Sequence, residues 1–175
     1  MAALAHAGVG LAAKRVAPSV PVWVLLVSAY LIDFLWAVFW LFGLDHFPKA
    51  GIEVPAPWSH SLTMACILSL VAMGAASIWT RSVGVRLLAG GLVFSHWAVD
   101  FITQPMRAAF PGAGFRMRVF FTERPTIEGL GLYSSTVVLN VVEYGTLCIG
   151  VAVCVLAIRH ARALQRGERG CPTRR

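Results

Sequence analysis

Charge is scarce in this chain. Only 13% of its 175 residues are Asp, Glu, Lys or Arg, about half of the roughly 25% carried by an ordinary soluble domain. Hydrophobic residues make up 58%, and the mean hydropathy is +0.72. A soluble globular domain is thereby excluded, and a small, all-α integral membrane protein is expected. Paired cysteine motifs are also missing. Cys66, Cys148, Cys154 and Cys171 form no CxxC pattern, and the first three lie in apolar runs, where a thiol behaves as a small apolar group. No disulfide framework is implied. Nor is there a GxSxG elbow to make a nucleophile of Ser59, Ser61 or Ser95. Internal repeats and low-complexity stretches are absent, so residues 1–175 read as one domain.

Four apolar runs approach the roughly 20 residues needed to cross a bilayer: about 21–43, 61–79, 83–103 and 133–158. The connection 104–132 contains Pro105, Pro111, Gly112, Gly114 and Pro125, which argues against a fifth span. Lys14 and Arg15 precede a full-length run containing Asp33, an order unlike that of a cleaved signal, so the first span is expected to be retained. Ahead of it, residues 2–16 are apolar up to Lys14, and Pro18 and Pro21 then break the chain. A short, partly inserted helix folded back on the first span is expected.

The net charge of +7 follows topology rather than nucleic acid. Ten basic residues (Lys14, Arg15, Arg81, Arg86, Arg159, Arg162, Arg166, Arg169, Arg174 and Arg175) fall on one side of a four-span arrangement. Five (Lys49, Arg107, Arg116, Arg118 and Arg124) fall on the other. The positive-inside rule then places the C-terminus, with its basic tail 159–175, in the cytoplasm. That tail also lies within reach of anionic lipid headgroups. Trp23, Trp36, Trp40, Trp58, Trp79 and Trp97 read mostly as interface anchors or lipid-facing bulk.

Against this apolar background a few ionisable residues stand out. Such groups cost several kcal/mol at bilayer depth and by default mark a functional site. His96 and Asp100, in Ser95-His96-Trp97-Ala98-Val99-Asp100, are one helical turn apart on a common face. Asp33 lies in the first span, His60 opens the second, and Asn140 and Glu143 lie in the fourth; Asp45 and His46 follow the first. At about 1.5 Å of rise per residue, these groups converge in the outer half of the bilayer. In the helical hairpin His6 mirrors a position near Asp33. Each residue alone has a structural reading, as interhelical glue or an internal hydrogen bond. Together, imidazoles and carboxylates form the nitrogen and oxygen set of a zinc-type site with an open position. His160, beyond the fourth span, reads as solvated.

Several blocks, in order, carry a resemblance. They are Ala5-His6-Ala7, Leu31-Ile32-Asp33-Phe34-Leu35-Trp36, Leu44-Asp45-His46, Pro57-Trp58-Ser59-His60-Ser61-Leu62, Ser95-His96-Trp97-Ala98-Val99-Asp100 and Gly129-Leu130-Gly131-Leu132-Tyr133. This pattern resembles bacterial inner-membrane proteins of the YdjM-like group, described as predicted membrane-bound metal-dependent hydrolases. The resemblance implies His6, Asp33, His60, His96 and Asp100 as the metal-binding set. One departure stands out: where the group often carries a His-Arg-Pro-Asp-like sequence, this chain reads Thr103-Gln104-Pro105-Met106-Arg107. Altered specificity or reduced activity follows if the missing pair serves metal or substrate in relatives.

The resulting expectation is a divalent ion, most simply zinc, that brings the pKa of a water towards neutrality. Glu143, or whichever of Asp33 and Asp100 does not ligate, is the expected general base. Arg107, Arg116 and Arg118, with Asn140, are expected to bind an amphiphilic or lipid-linked ester or phosphoester, since guanidinium forks suit phosphate. A proton- or ion-coupled transporter is the main alternative, but it calls for polar residues in both halves of the bilayer. The inner half holds Ser69, Ser77 and little else. A haem protein using His60 and His96 is disfavoured by the accompanying carboxylates. A structural membrane protein with a degenerate site is the remaining alternative.

Overall fold

The computed structural model describes residues 3–43, 58–103 and 136–169. All regular structure among them is helical: α1 (Ala3–Ala12), a 3-10 turn (Ala13–Arg15), α2 (Val22–Ala29), α3 (Leu31–Leu41), a second 3-10 turn (Trp58–His60), α4 (Leu62–Trp79), α5 (Val83–Thr103) and α6 (Thr136–Arg169). Helices are the form in which a segment satisfies its own backbone hydrogen bonds in lipid.

Two helices are long and apolar enough to cross a membrane, Leu62–Trp79 and Asn140–Arg166, and the bent pair α2–α3 makes a third if counted as one span. The 21-residue α5 is long enough, but it carries Arg86, His96 and Asp100 and is not among them. The arrangement is therefore a helical bundle with two or three candidate spans and a short N-terminal helix. Large apolar side chains face outward, among them Leu70, Ile78, Ile149 and Trp79, the last 81% exposed. The arrangement suits lipid rather than water on the outer face.

The second and third apolar runs form helices as expected. Ser61 caps α4 by accepting from Met64 N at 3.2 Å, satisfying one of the unpaired N–H groups of a first helical turn. The first run behaves differently. It breaks at Tyr30, and α2 and α3 meet at 55°, although no proline or glycine lies there. Ser28 Oγ donates back to Val24 O at 2.9 Å, a contact that bends helices, and Ala29 O accepts from the His96 ring. The run ends at Gly43, whose φ of 70° is the left-handed closure that favours glycine. In the fourth run, helix α6 continues past Ile158 to Arg169, through most of the basic tail.

The N-terminal hairpin is present. Lys14 Nζ donates to Pro18 O at 2.7 Å and to Val20 O at 2.6 Å, closing the turn between α1 and α2. Helix α1 packs on α6, α2 and α5. At its crossing with α6 the backbones touch: a Cβ on Gly150 would collide with the Gly8 carbonyl, and one on Gly8 with that of Thr146. Such contact between small residues is how membrane helices gain packing energy.

Two apolar clusters flank the ionisable residues. One joins Ile32, Ala65, Val93 and Trp97, and the other Ala13, Leu25 and Leu92. Trp97 departs from the outward role expected of the tryptophans. It is buried and stacks on Phe101 at 4.9 Å between centroids. The reason is its position next to His96, on the inward side of α5. Trp23 and Trp79 are exposed as expected.

Candidate metal centre

Helix α5 sets the centre, because His96 and Asp100 project from successive turns into the bundle and both are 1% exposed. Helix α3 contributes Asp33, the 3-10 turn before α4 contributes His60, and α1 contributes His6. Four elements thus bring together all five residues of the expected metal-binding set.

Their separations are regular. His60 Nε2 lies 3.4 Å from Asp33 Oδ1 and 3.5 Å from Asp100 Oδ2, while His96 Nε2 lies 3.4 Å and 3.6 Å from the same two oxygens. A charge-assisted N–H···O bond spans roughly 2.7–2.9 Å, so these contacts are too long to be good hydrogen bonds. Around a tetrahedral ion with bonds of about 2.1 Å, neighbouring ligand atoms stand about 3.4 Å apart. The four contacts fit four of the six edges of such a tetrahedron, and two sets of three, Asp33, His60 and His96 and His6, His96 and Asp100, offer ligand atoms close enough together to hold a metal ion.

The ring orientations support the same chemistry. His96 Nδ1 lies 2.8 Å from Ala29 O, and a carbonyl only accepts, so the proton sits on Nδ1. The Nε2 lone pair then points at the carboxylates, buried and with no hydrogen-bond partner. His60 Nδ1 lies 2.9 Å from Ser59 Oγ, which is fully buried. With Nδ1–H donating to that hydroxyl, Nε2 is again the free ligand atom. Outer partners of this kind orient metal-binding histidines. The break at Tyr30 has its use here, since the Ala29 carbonyl at the end of α2 is the one that reaches His96.

His6 approaches from the other side. Its Nε2 lies 3.3 Å from Asp100 Oδ1, its ring stacks on that of His96, and its Nδ1 is buried without a hydrogen-bond partner. Asp33 is the open member, with its side chain 26% exposed.

Glu143 is not among the residues grouped around the ion position. Its carboxylate accepts from Leu4 N at 3.4 Å, where a negative charge complements the unpaired N–H groups at the start of α1. Asn140 is exposed and outside the cluster. Arg107, Arg116, Arg118, Asp45 and His46 lie outside the described residues. His160 is exposed, as expected of a solvated residue.

Three contributors escaped the sequence reading. Ser59 had been weighed only as a nucleophile, and the Ala29 carbonyl carries no side-chain signal at all. Tyr30, whose hydroxyl donates to Ala3 O and whose ring sits edge-on to His6 and His96, lies in an uninterrupted apolar run. No family model, curated protein or solved structure matches the chain.

Proposed function

We propose that this chain is a membrane-bound metal-dependent hydrolase, with the ion held by His60, His96 and Asp100 and with Asp33 beside the open fourth position. The observation that carries the reading is the set of four nitrogen–oxygen separations of 3.4–3.6 Å, two of them from a histidine fixed in its ligating tautomer. Zinc is the simplest occupant, because two imidazoles and a carboxylate with an open fourth position suit its preferences. The resemblance to the YdjM-like group belongs to the same reading.

When bound, a divalent ion supplies a nucleophilic water near neutral pH and polarises the scissile bond. The protein's own residues do the rest. Ser59 and the Ala29 carbonyl hold the two imidazoles in place. The apolar clusters around Ile32 and Leu25 exclude bulk water from the inner side. Asp33, the partly exposed carboxylate, faces the incoming water and is placed to take its proton.

The site belongs in the outer half of the bacterial inner membrane, in a four-span arrangement with the C-terminus cytoplasmic. Its substrate is an amphiphilic or lipid-linked ester or phosphoester, whose anionic head suits Arg107, Arg116 and Arg118. A transporter would need polar groups continuing through the other half of the bilayer. There, Ser69 and Ser77 spend their hydroxyls on carbonyls of their own helix, Ala65 O at 2.7 Å and Gly74 O at 2.6 Å, which favours a dead-ended site.

The test is a screen of phosphate and carboxylate esters with zinc-loaded protein in detergent micelles. Turnover lost in His96→Ala and Asp100→Ala supports the reading. Turnover that survives both substitutions, or no turnover by a protein that binds its metal, contradicts it.

A further inference from the structure

Two sets of ligand atoms meet at His96: Asp33, His60 and His96 form one, and His6, His96 and Asp100 the other. His96 cannot serve both. Its Nδ1 is engaged with Ala29 O, and Nε2 offers one lone pair for one ion.

Ring geometry divides the sets further. The imidazoles of His6 and His96 are stacked, with centroids 3.7 Å apart and planes 13° from parallel. An imidazole binds a cation along a lone pair lying in its ring plane, so two stacked rings, whose planes are separate and nearly parallel, do not converge on one ion. His60 and His96 differ in this respect, meeting at 61° with centroids 5.6 Å apart, an orientation in which two rings share an ion. The carboxylate of Asp100 splits in the same way. Oδ2 faces His60 Nε2 and His96 Nε2 at 3.5 Å and 3.6 Å, and Oδ1 faces His6 Nε2 at 3.3 Å.

We propose that the centre holds two divalent cations bridged by Asp100. The first sits on His60, His96 and Asp100 Oδ2, with Asp33 beside its open position, and the second on His6 Nε2 and Asp100 Oδ1.

The second position draws two protein ligands from the described residues, so water and substrate oxygens complete it, and it binds more loosely than the first. This inference rests on the metal centre proposed above and narrows its substrate class. A pair of cations would stabilise both the attacking and the leaving oxygen of an in-line displacement, which suits a phosphoester. In the hydrolysis, the P–O bond to the leaving group breaks as a water oxygen bonds to phosphorus. One proton of that water passes to Asp33, and a proton from solvent neutralises the departing alkoxide.

The test uses the full chain in detergent, stripped with chelator and titrated with Mn2+ alone, read by metal content and electron paramagnetic resonance. The wild type is expected to take up about two ions per chain and give an exchange-coupled spectrum. His6→Ala is expected to keep about one ion and give the six-line spectrum of isolated Mn2+. A wild type that binds one ion with an isolated spectrum overturns the proposal and leaves the single-ion centre standing. Loss of all metal in a folded His6→Ala variant also overturns it, by placing His6 on the first ion. A wild type that binds no metal removes the underlying centre. The wild-type spectrum decides the question even if the variant does not fold.

Discussion

His96 and Asp100 lie one turn apart on α5, yet Nε2 and Oδ2 stand 3.6 Å apart, beyond the roughly 2.7–3.2 Å of a good N–H···O bond. Replacing either by alanine removes a ligand of the proposed centre, together with the His96–Ala29 or the His6–Asp100 hydrogen bond. We predict for His96→Ala and Asp100→Ala a fall in metal affinity larger than the roughly 10–100-fold typical of outer-shell changes, measured by competition with a chromogenic chelator. The far-ultraviolet circular dichroism of both variants is expected to stay helical.

Ser59 meets the proposed metal centre at His60 Nδ1, 2.9 Å away. Its loss frees the ring to rotate without removing a ligand. Ser59→Ala is expected to bind the same number of ions as the wild type about 10–100-fold more weakly. An unchanged affinity in the same titration would show that His60 is oriented by other means.

Glu143 separates two roles by magnitude. As the partner of Leu4 N, its charge contributes about 0.3–1 kcal/mol near the start of α1. As a general base it would contribute a roughly 10²–10⁴-fold rate factor. Glu143→Gln is expected to lower thermal stability slightly and leave turnover within about threefold of wild type. A rate loss of two orders of magnitude would reinstate the carboxylate as the base.

The backbone contact between Gly8 and Gly150 leaves no room for a side chain. Gly150→Leu forces α1 away from α6 and with it His6 from its place beside Asp100. Overpacking of this kind costs about 1–3 kcal/mol. A lower midpoint of thermal unfolding in detergent is expected, and proteolysis near Lys14 should become faster.

Metal removal is expected to destabilise the bundle, because an ion held at the proposed centre would join α5 to the turn before α4. At a free concentration 100 times Kd, a ligand that binds only the folded state contributes about 2.7 kcal/mol. Chelator should lower the unfolding midpoint of the wild type and leave that of His96→Ala unchanged.

Much of the candidate centre was legible in the sequence because ionisable residues are conspicuous in apolar runs. Counting rise per residue was enough to bring Asp33, His60, His96 and Asp100 to a shared depth. His6 followed from the proline-marked hairpin and from the resemblance. What escaped was carried by backbone and by contacts between distant segments. The break at Tyr30 has no proline or glycine to announce it, and the Ala29 carbonyl acts without a side chain. Trp97 looks like any membrane tryptophan until the neighbouring His96 fixes which face of α5 turns inward. The direction taken by Glu143 depends on where α1 docks against α6, and spacing along α6 does not contain that information.

The most direct measurement is the transition-metal content of the full chain purified in detergent, alongside a His60→Ala variant and a His96→Ala, Asp100→Ala double variant. Stoichiometric metal in the wild type and its loss from both variants is the predicted result. A wild type that holds no metal, even after zinc or manganese is supplied, would contradict the metal centre and return these buried histidines and carboxylates to a proton-handling or structural role.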